Sequence, residues 1–259
     1  MKHLIVSTNK SIATVTINRP DVRNAFNTEL TKEFFECFTN LNQDDSVRAV
    51  ILTGEGKCFC AGADLNYMKS AKEKTREQNI EDSLFMAKTF QTMNDLSKPL
   101  IGLVNGHCFA GGLGLVSVCD IVLAQEKAIF CLSEAKLGMT PAVISQFVIQ
   151  KIGVNQARRY FVTAERFSAE KAKEIGLVNE VYAEGEADKA LQPILENIYQ
   201  CSPNAMGSAK ILIQKNKDLS DNDLVQFSVE QIADLRASDD AQEGMGAFFE
   251  KRTPSYVIK

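Results

Sequence analysis

Three short apolar runs do most to restrict what this chain can become. Arg48–Thr53 reads RAVILT, Leu100–Val104 reads LIGLV and Asp120–Ala124 reads DIVLA. A β-rich run with no polar face is expected to be covered on both sides, as in a parallel sheet flanked by helices. The N-terminus behaves differently. Ala13, Val15 and Ile17 alternate with Thr14 and Thr16, the period-2 pattern of a strand. Leu4–Ser7 precedes them as a second strand across Thr8-Asn9-Lys10, and Arg19-Pro20-Asp21 breaks the pattern. Leu177–Val181 reads as the last strand.

Helical spacing fills the intervals. Thr28 is the expected N-cap of a helix over Thr31–Leu41, with Leu30, Phe34, Phe38 and Leu41 on one face. Tyr67–Leu96 is polar with helical spacing, and Val143–Ile175 is helical around breaks at Gly153 and Ser168. From Glu184 to Lys251 nearly everything reads as helix, with starts at Pro203 and Ser220. The expected organisation is an α/β core over residues 1–195 followed by a helical C-terminal region over 196–259.

Composition closes off several functions. A net charge of −4 gives no electrostatic case for nucleic acid. The opening MKHLIVSTNK is too short in apolar residues for a signal peptide, and no stretch approaches the roughly 20 apolar residues of a membrane helix. Seven scattered cysteines form no zinc pattern. They read as free thiols in a reducing cytoplasm.

Two glycine-bearing turns, Ala61-Gly62-Ala63-Asp64 and Ala110-Gly111-Gly112, each follow a buried strand. Small residues let a ligand approach the backbone. If each turn opens a helix, their free N–H groups form an oxyanion hole suited to an enolate or a tetrahedral intermediate. Tight connections without function are the alternative. Neither turn matches a dinucleotide fingerprint or a P-loop.

Six segments, in order, decide more than spacing does: INRPDVRNAFN (17–27), FCAGADL (59–65), KPLIGLVNGHCFAGGLGLVSVCDIVLA (98–124), FCLSEAKLGMTPA (130–142), ARRYFVTAERFSAEKAKEIGLVNEV (157–181) and QEGMGAFFEKRTP (242–254). Together they resemble the enoyl-CoA hydratase/isomerase (crotonase) superfamily over almost the whole chain. The resemblance implies a spiral of ββα repeats with a helical C-terminal region that packs in a homotrimer or a dimer of trimers. It implies a coenzyme A thioester substrate and no separate cofactor, metal, nucleic acid or membrane partner. The thioester oxygen would lie between the N–H groups of Ala63 and Gly111. Arg23, Ala25, Phe26, Ala61, Asp64 and Leu65 fall where such proteins bind coenzyme A. Arg23 reads equally as a solvated surface residue, and Asp64 as a helix cap.

Family hydratases resemble one another in carrying two catalytic glutamates. Here one is present as Glu134, and Gly114 stands at the position of the other. Water addition needs a base for the water and a proton for Cα. With one carboxylate, Glu134 must serve both tasks on one face. A double-bond isomerase also needs only one, and a substrate with its own carboxylate is a third solution. FCLSEAKLGMTPAVIS, ARRYFVTAERF and GADLNYM further resemble bacterial proteins assigned to 3-methylglutaconyl-CoA hydration in leucine breakdown. The alternatives are Δ3,Δ2-enoyl-CoA isomerase and a non-catalytic binder of coenzyme A esters or RNA. Mixed charges over Lys69–Lys98 argue against RNA. His107 reads as a packed turn residue or a substrate donor, Asp120 as structural, and Cys108, Cys119 and Cys131 as core thiols. Lys136, Arg158, Arg159 and Arg166 are solvated charges or partners for a substrate carboxylate. Ser133 and Ser145 have no evident His/Asp partner.

Overall fold

The computed structural model describes residues 1–258. β1 (Leu4–Asn9) and β2 (Ile12–Ile17) form an antiparallel hairpin. The connection is the pair Lys10-Ser11, tighter than expected, with φ of 43° and 64°. Two residues at positive φ match the right-handed twist of a hairpin, and without an Asn-Gly pair the sequence gives no sign of it.

α1 spans Thr28–Gln43 and is capped by Asn27, not Thr28. Asn27 is extended and its Oδ1 accepts from Leu30 N at 2.8 Å. The expected face is buried, with Cys37 and Thr31 added to it.

β3 (Ala49–Gly54), β5 (Leu100–Val104), β7 (Ile121–Gln125) and β10 (Glu180–Tyr182) continue from β2 as parallel neighbours. The six-stranded order is β1-β2-β3-β5-β7-β10. Both faces are covered, as the apolar runs require. Val50 and Leu52 enter the main core with Phe34 and Phe38. Ala49 and Ile51 point to the back, against Tyr182 and against Leu191 and Ile198 of α7 (Ala187–Gln200).

A second sheet was not visible as strands at Cys58–Cys60 and His107–Phe109. It comprises β4 (Cys58–Cys60), β6 (His107–Phe109), β8 (Ile129–Cys131) and β9 (Phe167–Ser168), in that spatial order. Runs of two or three residues are too short to show a period, so 106–114 reads as a turn although β6 and the first residues of a helix lie within it. The chain thus winds through ββα units. β3 and β4 lead to α2 (Leu65–Ala71) and α3 (Arg76–Asn94). β5 and β6 lead to α4 (Gly111–Ser117). β7 and β8 lead through a 3-10 turn (Glu134–Leu137) to α5 (Ser145–Thr163). Tyr67–Leu96 is therefore two helices, because Thr75 and Gln78 form a capping box that starts the second. Gly153, at φ 71° and ψ 162°, breaks α5 as expected.

α6 (Ala169–Glu174) follows β9, and the end of the chain is α8 (Pro203–Asp218), α9 (Asp221–Ala237) and α10 (Asp239–Glu250). Ser202, Ser220 and Ser238 cap these last three. The boundary expected at residue 195 falls inside α7, which packs on the sheet. Lys210 of α8 binds Asp120 Oδ2 at 2.6 Å and the Lys98 carbonyl at 2.8 Å, so α8 is hooked to the sheet margin. Among the described residues no helix is long and apolar enough to cross a membrane.

Candidate active site

β4, β6 and β8 are adjacent and parallel. The segments that follow them, 61–64, 110–112 and 132–134, therefore leave the same end of one small sheet. This is where parallel sheets present ligands.

The first turn is oriented by Phe26. Phe26 N donates to Gly62 O at 2.7 Å, and Asp64 N donates to Phe26 O at 2.8 Å. In a trans peptide the C=O and the following N–H point in opposite directions. Gly62 O faces Phe26, so Ala63 N–H faces away from it. Gly62 needs its φ of 91°, and a Cβ there would lie 2.8 Å from Ala110 Cβ. The two turns are thus in contact.

The second turn hangs from β8 through Ala110 N, which donates to Cys131 O at 2.8 Å. Ala110 takes φ 48° and ψ −123°, a conformation alanine rarely adopts. It swings the chain abruptly into α4. The ring of Phe26 lies 3.5 Å from where a Gly111 side chain would begin. One residue therefore orients the Ala63 peptide by its backbone and abuts Gly111 by its ring. Among the described residues neither the Ala63 N–H nor the Gly111 N–H has an acceptor in the chain.

Glu134 opens the 3-10 turn after β8 and is half-buried. Its Oε2 is buried with no hydrogen-bond partner. Burial pushes its pKa above the usual glutamate value. A carboxylate with a buried, unpaired oxygen is costly to maintain, and such groups concentrate where chemistry needs a tuned acid or base.

At Gly114 the structure shows why no second carboxylate is there. A Cβ would lie 2.3 Å from Ile144 Cγ2 and 2.9 Å from Cε1 and Cζ of Phe90. Phe90 in turn packs against Phe26 and Phe147, with ring centroids 5.9 and 6.3 Å apart. The volume is an apolar wall.

The remaining candidates separate. Ala61 is half-buried and its N–H donates to Arg23 O at 3.0 Å; the Arg23 side chain is exposed. Ala25 and Phe26 are buried, so their side chains are committed to packing, whereas Leu65 is 73% exposed. Asp64 is buried; it caps α2 by accepting from Asn66 N at 2.8 Å and pairs with Arg19 at 3.0 Å. Burial disfavours its charge, but the Asn66 N–H and the Arg19 guanidinium outweigh it and hold its pKa below the usual carboxylate value.

His107 stands at the opposite end of β6 from Gly111, stacked on Phe109, with Nδ1 accepting from Ile129 N at 3.2 Å. Asp120 accepts from Leu100 N at 2.7 Å and from Lys210, a structural arrangement. Arg159 is taken by Glu165 at 2.6 and 3.0 Å. Burial raises the thiols of Cys60 and Cys119 to about 12 and pushes that of Cys108 well above the usual thiol value, which removes them as nucleophiles. Among the described residues no group of His, Cys, Asp and Glu could hold a metal ion. Arg19, Phe90 and Ile144 were not singled out from sequence. Each acts through a residue far away in the chain, and no local pattern signals that.

Comparison with known proteins bears on this geometry. The sequence model of the enoyl-CoA hydratase/isomerase family matches residues 7–258. The chain is 32% identical over 254 residues to the short-chain-enoyl-CoA hydratase of Clostridium acetobutylicum, covering 97% of this chain and 96% of that protein. It is 31% identical over 258 residues to the 2,3-dehydroadipyl-CoA hydratase of Escherichia coli, covering 99% of both. A crystal structure of an enoyl-CoA hydratase from Shewanella pealeana superposes with a TM-score of 0.94 at 37% identity, covering 98% of this chain and 95% of that one.

Proposed function

The chain belongs to the enoyl-CoA hydratase/isomerase family, and from that premise we propose that it adds water across the double bond of a 2-enoyl-CoA thioester. The observation that carries this reading is the buried, unpartnered Oε2 of Glu134, in the 3-10 turn after the strand that neighbours the one leading into the Gly111 turn.

On this reading the N–H groups of Ala63 and Gly111 receive the thioester oxygen. Glu134 accepts a proton from water as its oxygen bonds to Cβ, the C=C electrons move toward the carbonyl, and the enolate oxygen is held by the two donors. Glu134 then returns a proton to Cα on the same face. The net change is addition of one water, and the enzyme ends as it began. Coenzyme A enters as part of the substrate, and no other group is required.

For the acyl chain we favour one that carries its own carboxylate, with 3-methylglutaconyl-CoA as the candidate. The apolar wall at Gly114 favours this, because a carboxylate on the substrate then shares the acid–base work that Glu134 otherwise carries alone. The E. coli relative is itself named for a dicarboxylic acyl chain. The same wall also favours a second reading, Δ3,Δ2-isomerisation, in which Glu134 moves one proton along the enolate and no water is activated. Exposed Phe248 and Phe249 on α10 and Val225 and Val229 on α9 suit burial in a homotrimer or a dimer of trimers.

The test is an absorbance screen of crotonyl-, 3-methylcrotonyl- and 3-methylglutaconyl-CoA, with 3-hexenoyl-CoA for isomerisation. Glu134→Gln should abolish turnover while the protein stays folded and binds the thioester. Near-wild-type turnover by that variant would sink the assignment.

A further inference from the structure

We propose that Arg19 is a positioning residue of the oxyanion site, its ion pair with Asp64 fixing the direction of the Ala63 N–H. The inference rests on the reading that this N–H receives the thioester oxygen.

The argument begins with what does not hold Ala63. Its side chain is a single exposed methyl group, and the residue before it is glycine, the freest backbone in the chain. The Gly62–Ala63 peptide is oriented by the two bonds at Phe26: Phe26 N holds Gly62 O, and Asp64 N is held by Phe26 O. The direction of the donor therefore depends on where Phe26 and Asp64 sit relative to each other.

Arg19 sets that relation. Its Nη2 donates to Asp64 Oδ2 at 3.0 Å, and its Nη1 donates to the carbonyl of Ala25. One planar guanidinium thus grips the residue just before Phe26 and the residue just after Ala63. Asp64 has a second tie, since its Oδ1 accepts from Asn66 N and fixes where α2 begins. The Arg19 and Asp64 side chains are 11% and 7% exposed, so the pair is shielded from water and screened little by salt.

Arg19 is itself anchored. Its backbone N donates to Asn24 Oδ1 at 2.9 Å. Asn24 is fully buried, and its Nδ2 reaches Cys58 O at 2.7 Å and Glu55 O at 3.0 Å, on the segment leading into the first turn. Residues 19–26 therefore form a strap that clips to the chain before Ala63 through Asn24 and Phe26, and after it through Arg19 and Phe26. The pair thus ties the segment carrying Phe26, which holds Gly62 O, to Asp64, the residue directly after the donor. Arginine is suited to this because its fork reaches two acceptors at fixed angles, whereas lysine supplies one compact charge.

The test compares wild type, Arg19→Met, Arg19→Lys and Asp64→Asn. Asp64→Asn keeps an oxygen for the Asn66 N–H while losing the charge. The first readout is the infrared stretch of butyryl-CoA labelled with carbon-13 at the thioester carbonyl, an unreactive probe that reports polarisation by the two donors. The second is kcat and KM for crotonyl-CoA.

In wild type the bound carbonyl should shift to lower frequency than in water. Arg19→Met and Asp64→Asn should lose about half of that shift, with kcat down about ten- to hundredfold and KM within about threefold. Arg19→Lys should recover part of both. If wild type polarises the carbonyl and the folded variants do so equally, with unchanged kcat, the positioning role is wrong and the oxyanion reading stands. If wild type binds butyryl-CoA without any shift, the oxyanion reading fails and the positioning role falls with it. Should Arg19→Met not fold, Asp64→Asn decides by the same criteria.

Discussion

Replacing Gly114 by glutamate restores the missing carboxylate in name only. The new Cβ would lie 2.3 Å from Ile144 Cγ2 and 2.9 Å from two ring carbons of Phe90. Carbon atoms in contact rest about 3.5–4.0 Å apart, so the overlap with Ile144 exceeds an ångström. Ile144 and Phe90 are 3% and 1% exposed and have nowhere to swing. Overpacking of this kind costs about 1–3 kcal/mol. The carboxyl group enters an apolar wall and takes up a proton there, at a further cost of about 1–3 kcal/mol. At about 2–4 °C per kcal/mol for a chain of this size, Gly114→Glu should unfold about 10 °C lower. Ile144→Ala alone opens a cavity and should cost about 2–5 kcal/mol. In the double variant the glutamate fills the vacated space, so the two losses should fall short of adding by about 1–3 kcal/mol. The residual overlap with Phe90 keeps the double variant below wild type. Urea unfolding of the four proteins measures this coupling. Because the resemblance puts the second family glutamate at Gly114, crotonyl-CoA hydration should also rise at least about tenfold from Ile144→Ala to the double variant. A Gly114→Glu protein as stable as wild type, hydrating faster without help at Ile144, would show that the wall yields and would refute the reasoning.

Three further outcomes follow from the same coordinates. Glu134 has a folded pKa raised above its unfolded value, so its stabilising contribution is present below the unfolded pKa and is lost as pH rises through the folded one. Glu134→Gln should therefore melt higher than wild type at pH 8, with the gap closing toward pH 4, while wild-type kcat/KM falls as acid protonates Glu134; a pH-independent gap contradicts this. Ala110→Gly should relieve a conformation that costs about 1–3 kcal/mol, less about 0.4–1 kcal/mol for added freedom in the unfolded chain, and so melt slightly higher with activity kept. Lys210→Met should cost about 1.5–3 kcal/mol in urea unfolding, because Lys210 and Asp120 are only 11% and 31% exposed; Asp120→Asn in the same background should add less than its single-variant loss.

Legibility in the sequence followed length and locality. RAVILT, LIGLV and DIVLA announced a doubly covered sheet because five or six residues are enough to show the absence of a polar face. Cys58–Cys60 and His107–Phe109 were hidden because three residues show no period at all, and the second sheet exists only through pairing across the chain. Asn27 was missed by one residue and the start of the hairpin turn by two, the ordinary resolution of capping and turn signals. At the site, the glycine turns and Glu134 were visible as residue types, whereas the reason Gly114 must be glycine was not. It lies in Ile144 and Phe90, thirty and twenty-four residues away, and only packing brings them there.

The six-stranded sheet has one further consequence, for synthesis. Its back face, formed by Ile12, Ala49, Ile51, Ile101, Leu123 and Tyr182, is sealed by Leu191 and Ile198 of α7. A nascent chain released residue by residue makes the strands first and the seal last. Until α7 leaves the ribosome, a sheet already able to pair would carry a bare oily face on the side away from the active site. Such half-built species are prone to aggregate. The back face is therefore covered only once α7 (Ala187–Gln200) has emerged, after every strand of the sheet has been made.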